Sequence, residues 1–389
     1  MNPKYKRTLC GGYLSYFCQA IANNLLPLLF VTFQKDFHFS LRQLSFLVTA
    51  NFIIQIVIDA LSAPFIRRLG YKITILFAHI MIAMGLAFLG VLPFVMSPYA
   101  GILIAIFFYG IGSALLEVVA SPMIEALPTT NKSGKMSLLH SFYCWGHMLV
   151  ILLSTGYFLL FGIAQWKYLP FLWAVFPVFN FFLLLSSPIE TLPGDANPVP
   201  IREIMKSSVF WILFILMICA GSSEQAMAQW SSYFAERALK VSKTLGDLLG
   251  PCMFAFFMGL SRTLYGYLSR FITLHQYIAA SALLCVLSYL LVVLAPIPVL
   301  ALAGCGLCGL SVAIMWPGVY SLGSTHHAKG GSAMFALLAI GGDLGCTAGP
   351  GLTGLAASAF GDNLKAGFLF TCLFPILILF FIYKLKKYR

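Results

Sequence analysis

In a chain this apolar, the few side chains that can carry charge or share hydrogen bonds inside its apolar segments define its chemistry. Of 389 residues, 60% are hydrophobic and 9% charged. Asp59, Glu117, Glu224, Arg262 and Asp343 lie within long apolar segments, with Glu125 near the end of one and His140 and His147 in another. A charge at the centre of a bilayer costs about 2.5–3.5 kcal/mol on insertion scales, so each of these is a functional candidate. Glu117 leads. A carboxyl there can take up and release a proton as its surroundings alternate, and its protonated form can donate to a solute hydroxyl. The plain alternative is a structural carboxyl bonded to a neighbouring helix. Asp343 is the second candidate for proton coupling.

Amides supply the rest. Gln225 and Gln229, four residues apart, share one helical face, and Glu224 is turned from them by about 100°. Asn23 and Asn24 occupy the matching place in the first half of the chain. Pairs of this kind suit a polyhydroxy solute, because an amide both donates and accepts; polar glue between helices is the competing use. His147 is a further solute-binding candidate, though a neutral packed ring is the simpler reading. Trp316 and Tyr320 could stack on the C–H face of a sugar, or simply pack. Asp59, Arg68 and Arg262 are candidates for gating salt bridges, with structural anchoring as the alternative. Cys305 and Cys308 have a metal-like spacing, but they sit in a Gly-rich apolar helix with no second ligand pair nearby. Close helix contact explains them better, so no cofactor and no metal is expected.

The elements that position these residues follow from composition. A soluble domain carries roughly 25% charged residues, so lipid must be the solvent here. Twelve apolar stretches of about 20 residues lie between residues 8 and 384, each long enough to cross a core of about 30 Å as a helix, and a helix satisfies its own backbone in oil. The fold class expected is an all-α membrane protein of twelve spans in two six-helix bundles: an N-terminal bundle 1–187, a proline-rich linker 188–206 and a C-terminal bundle 207–389. The net charge of +12 does not point to nucleic acid. Lys and Arg cluster between the apolar runs, and 16 of the 24 fall on one side if both termini are cytoplasmic, which is the positive-inside pattern. The basic start, Met1 to Arg7, reads as the entry to the first helix rather than a removable signal.

The halves echo each other. Pro122, Gly134 and Gly146 correspond to Pro317, Gly330 and Gly342, and His147 then corresponds to Asp343. Many carriers are built from such repeats, with the substrate site near the bilayer midplane where they meet. The segment Ala63-Pro64-Phe65-Ile66-Arg67-Arg68-Leu69-Gly70-Tyr71-Lys72 resembles the signature loop of the major facilitator superfamily, Gly-x-x-x-Asp-Arg-x-Gly-Arg-Lys. Arg68, Gly70 and Lys72 fit; Ala63 and Arg67 replace the leading Gly and the Asp. Within that superfamily Ala22-Asn23-Asn24-Leu25 with Phe33-Gln34, and Leu116-Glu117-Val118-Val119-Ala120-Ser121-Pro122, resemble the fucose permease branch. That resemblance implies a role for Glu117 in proton coupling and sugar binding. The branch's second carboxylate, in the first helix, would fall at Pro27 and is absent.

These readings converge on proton-coupled uptake of a small polar solute, a sugar by resemblance, by a monomer in the inner membrane. Proton-driven efflux of a drug or metabolite is the alternative. An intramembrane enzyme is a weaker one: Gly341-Gly342-Asp343 has Ile340 where a membrane aspartyl protease needs glycine, and HExxH, Gly-x-Ser-x-Gly and P-loop patterns are missing.

Overall fold

The computed structural model describes residues 3–127, 132–189, 201–268, 271–326 and 331–385. Most of the linker expected over 188–206, together with Gly330, lies outside the described residues, as do the side chains of Ala63, Pro64, Phe65 and Arg67 in the signature segment. Helices account for nearly all regular structure. Among the described residues, eleven are long and apolar enough to cross a membrane. They are α1 (Tyr5–Phe37), α2 (Leu41–Leu61), α3 (Arg68–Val95), α4 (Pro98–Ser121), α5 (Leu138–Phe161), α6 (Ile163–Leu185), α7 (Ser208–Arg237), α8 (Lys243–Arg262), α9 (Leu274–Leu294), α10 (Pro298–Gly323) and α12 (Leu364–Leu385). Between the last two runs α11 (Gly331–Ala359).

Prolines and one glycine set the breaks. A proline has no N–H to give the carbonyl four residues back. At Pro27 the α-helix of α1 gives way to a 3-10 turn over Leu26–Leu29 before resuming at Phe30. At Pro251 α8 passes through a π turn, Leu248–Cys252. α10 is interrupted between Val312 and Met315, four residues before Pro317. Gly70 adopts φ 76° and ψ 166° where α2 meets α3, a left-handed φ that a side chain resists. Gly70→Ala should therefore lower stability by about 1–2 kcal/mol, read as a fall in Tm, although a Cβ there would touch nothing within 4 Å.

The chain forms two compact units. The first comprises Met1–His38 and Ala50–Pro193, the second Phe39–Thr49 and Gly194–Arg389. The opening residues of α2 thus join the second unit, where Ser45 Oγ donates to the Gly351 carbonyl at 3.1 Å. In lipid, apolar tails do not drive helices together, so close backbone approach between small residues must. The second unit shows this where α7 crosses α11. A Cβ on Gly221 or on Gly345 would run into the backbone of the facing helix, and Ser222 Oγ donates to the Gly345 carbonyl at 3.0 Å. In the first unit the buried Trp166 ring anchors the end of α1, with centroids 5.3 Å from Phe33 and 5.4 Å from Phe94. Large apolar side chains such as Phe46, Phe107, Phe182 and Phe380 stand exposed, as a lipid-facing surface requires.

Candidate functional site

In the first unit a polar seam runs between α1 and α4. Tyr16, Gln19 and Asn23 follow one face of α1 at spacings of three and four; Ser113, Glu117 and Ser121 follow one face of α4 at spacings of four. The helices pair these residues rung by rung. Tyr16 Oη lies 2.9 Å from Ser121 Oγ. Gln19 Nε2 donates to Glu117 Oε2 at 2.8 Å. Ser113 Oγ donates to Asn23 Oδ1 at 3.1 Å. α2 adds Asn51 and Gln55, whose amide nitrogens lie 3.2 and 3.3 Å from the same Asn23 oxygen. Gln19, Asn23, Asn51, Gln55 and Ser113 are buried, whereas Glu117 is only half-buried. Gln19 thus holds one oxygen of a carboxyl that is only half-buried. Asn24 sits beside this seam, donating to the Ala20 carbonyl at 2.9 Å and to Tyr143 Oη at 3.4 Å.

The second unit centres on α7. Gln229 Nε2 donates to Gln225 Oε1 at 3.2 Å, so these two amides do share a face and bond to one another. Glu224 Oε2 lies 3.9 Å from Arg262 Nη2 of α8. Arg262 Nε also donates to the Ala313 carbonyl at 3.2 Å. That carbonyl is the one Pro317 cannot serve, so the arginine supplies the donor the helix lacks. One guanidinium therefore links the α7 carboxylate to the interruption in α10. This ion pair lies inside the second unit.

A family profile described as Major Facilitator Superfamily matches residues 12–350, most of the chain. The chain belongs to the Major Facilitator Superfamily. It is a multi-pass secondary transporter rather than an enzyme. No curated protein sequence matches the chain. Among solved structures, a bacterial homologue of the human lysosomal transporter Spinster, inward-facing and unoccupied, superposes with a TM-score of 0.79 at 15% identity, covering 100% of this chain and 98% of the other. A variant of the nucleoside transporter NupG gives 0.78 at 13% identity, covering 97% and 99%. A variant of the fucose:proton symporter FucP of E. coli gives 0.66 at 18% identity, covering 97% and 98%. These likenesses speak for the fold, and none singles out the fucose permease branch.

The remaining candidates of this superfamily member fall into place one by one. His147 is buried beside Gly146, where α5 packs against Phe17 and Ala20 of α1. Asp343 is buried in α11 next to Gly342, against which the Trp316 ring is pressed. Trp316 and Tyr320 are half-buried with ring centroids 6.4 Å apart. Asp59 is half-buried in α2, and Arg68 is exposed at the start of α3. Cys305 and Cys308 are both buried, and the described residues hold no group of three His, Cys, Asp or Glu arranged for a metal.

Two polar sets escaped the sequence reading. Between α1, α3 and α6, Asn180 Nδ2 donates to His79 Nε2 at 2.8 Å and to the Gly11 carbonyl at 2.9 Å, while His79 Nδ1 donates to the Ile75 carbonyl at 2.7 Å. All of it is buried. In the second unit, fully buried Asp247 accepts from Ser232 Oγ and lies 3.1 Å from Lys243 Nζ, which is 3.3 Å from Glu236. The signal was present: Ser232 and Glu236, then Lys243 and Asp247, are two i, i+4 pairs. Lys243→Met would strand the buried Asp247 carboxylate and should cost about 3 kcal/mol. Thermal unfolding of Lys243→Met against the double variant Lys243→Met with Asp247→Asn checks this, and the double variant should recover much of the loss.

Proposed function

We propose that the chain moves a small polar solute, a sugar or similar polyhydroxy compound, by proton-coupled alternating access. The supporting observation is the Gln19–Glu117 rung at 2.8 Å, a half-buried carboxyl inside an otherwise neutral polar seam. Glu117 carries the coupling proton in this reading. Gln19 orients its carboxyl, and the solute's hydroxyls exchange hydrogen bonds with the amides: Asn23 and Asn24 in the first unit, Gln225 and Gln229 in the second. Glu224 precedes Gln225 on α7, and His147 on α5 is a further solute contact in this reading; Trp316 and Tyr320 offer an aromatic platform. Asp343 is assigned a second protonation role, and Asp59, Arg68 and Arg262 roles in gating.

The solved structures with this fold include a nucleoside transporter and a fucose:proton symporter. The excess of Lys and Arg on one side supports an inner-membrane location with both termini cytoplasmic. The protein works as a monomer of two bundles, 1–187 and 207–389. A thermal-shift screen of the purified protein against sugars, nucleosides and amino acids tests the solute class. A true ligand at 100 times its Kd stabilises by about 2.7 kcal/mol. Stabilisation by hydrophobic drugs alone would favour efflux and defeat the sugar reading.

A further inference from the structure

The seam of the first unit holds more oxygen than its own donors satisfy. Three donors crowd Asn23 Oδ1: Asn51 Nδ2 at 3.2 Å, Gln55 Nε2 at 3.3 Å and Ser113 Oγ at 3.1 Å. One amide oxygen has two lone pairs. Ser113 Oγ has a second contact, to Gln55 Oε1, at 3.4 Å. All four distances are long for hydrogen bonds, whose usual values are about 2.9–3.0 Å from nitrogen and 2.7–2.8 Å from a hydroxyl. Meanwhile two buried amide oxygens nearby, Asn51 Oδ1 and Gln19 Oε1, have no donor among the described residues. An orphaned acceptor in a buried site costs about 1–3 kcal/mol, so Asn51 Oδ1, with Gln19 Oε1 one helical turn before Asn23, points to a ligand that oxygen attracts.

Turning the Asn51 and Gln55 amides about their last torsion puts oxygen where nitrogen now stands. Three oxygens from α2 and α4 then lie 3.1–3.3 Å from the Asn23 oxygen of α1. A cation of the size of Ca²⁺ or Na⁺ holds its oxygens at about 2.4 Å, and ligands at right angles at that radius are about 3.4 Å apart. The set contains three amides and a hydroxyl and no carboxylate, which suits one positive charge rather than two. Glu117 supplies a counter-charge one helical turn away, about 6 Å along α4 from Ser113. Beside the cluster α1 is broken at Pro27, the kind of helix interruption at which carriers coordinate coupling ions.

We propose that Asn23, Asn51, Gln55 and Ser113 form a binding site for a small monovalent cation of sodium's size. The proposal rests on the reading that the Glu117 seam is the coupling centre, and it adds a second cation to that centre. The test is thermal unfolding of the purified full-length protein at one pH and fixed ionic strength, titrating NaCl against choline chloride and KCl. Na⁺ should raise Tm saturably, with K⁺ and choline without effect. Asn51→Asp, which adds a charged oxygen to the set, should lower the half-saturating Na⁺ concentration at least tenfold, and Asn51→Leu should remove the response. Equal responses to Na⁺ and choline, or to Na⁺ and K⁺, would overturn the site, as would an intact Na⁺ response in Asn51→Leu. Proton-driven accumulation measured beside it separates the two ideas. A Glu117-dependent proton response without any Na⁺ effect defeats the cation site alone. A sodium response with Glu117→Gln still fully active defeats the proton reading alone.

Discussion

Glu117→Gln is expected to abolish accumulation of solute above equilibrium while leaving the folded protein and passive exchange intact. The glutamine side chain has the size and shape of the protonated acid and can still accept from Gln19 Nε2, which now bonds Glu117 Oε2 at 2.8 Å. It cannot release a proton. The carrier then reorients with or without a proton gradient, and the gradient no longer biases the cycle. A pH difference of one unit is worth about 1.4 kcal/mol and holds a singly coupled solute about tenfold above its outside concentration. In the variant that ratio should fall to one, while counterflow exchange persists. Vesicle uptake with an imposed pH gradient measures both quantities. Accumulation equal to that of the unaltered protein would remove Glu117 from the mechanism.

The second large effect concerns Arg262. It stands 3.9 Å from Glu224 and also caps the Ala313 carbonyl at 3.2 Å. Arg262→Ala leaves a buried carboxylate without its counter-charge and a helix carbonyl without its donor. Breaking this pair, 3.9 Å apart with its arginine half-buried, costs about 1–3 kcal/mol, and the lost carbonyl bond adds about 1 kcal/mol. The variant should therefore unfold at a markedly lower temperature and express poorly. Arg262→Ala combined with Glu224→Gln should regain most of the first loss but none of the second, because Pro317 still has no N–H. Equal stability of the single and double variants would show that the ion pair contributes nothing. Arg262→Lys is a finer probe: an ammonium can hold the Glu224 charge but lacks the planar fork that serves both partners at once.

Much of the fold could be read from composition and spacing, because lipid imposes its rule on every span. A stretch that crosses must be helical and apolar for about 20 residues, so each α-helix announced itself, and Gly70 marked the turn between α2 and α3. α11 was read as a span like the rest, and several of its glycines serve close contact with α7. The site was less legible for a different reason. Stripes along one helix are visible in sequence: Gln225 with Gln229 was seen, and Tyr16, Gln19 and Asn23 on α1 and Ser113, Glu117 and Ser121 on α4 have equally regular spacing. Which stripe faces which is decided by packing. The register that joins Gln19 to Glu117, and the pairing of Glu224 with Arg262 across two helices of one unit, have no local signature. Asp247 lies in an apolar stretch and was not among the candidates, because its enclosure depends on how the chain packs.

The central claim, that solute and proton move together through this carrier, is tested most directly by watching the proton. The purified protein is placed in proteoliposomes without any starting pH difference, a stabilising sugar or nucleoside is added outside, and the external pH is recorded in weakly buffered medium. Alkalinisation is expected as the solute enters, about one proton for each solute molecule, and should be lost in Glu117→Gln. Solute entry with no change in pH, or the same change in the variant, would contradict it.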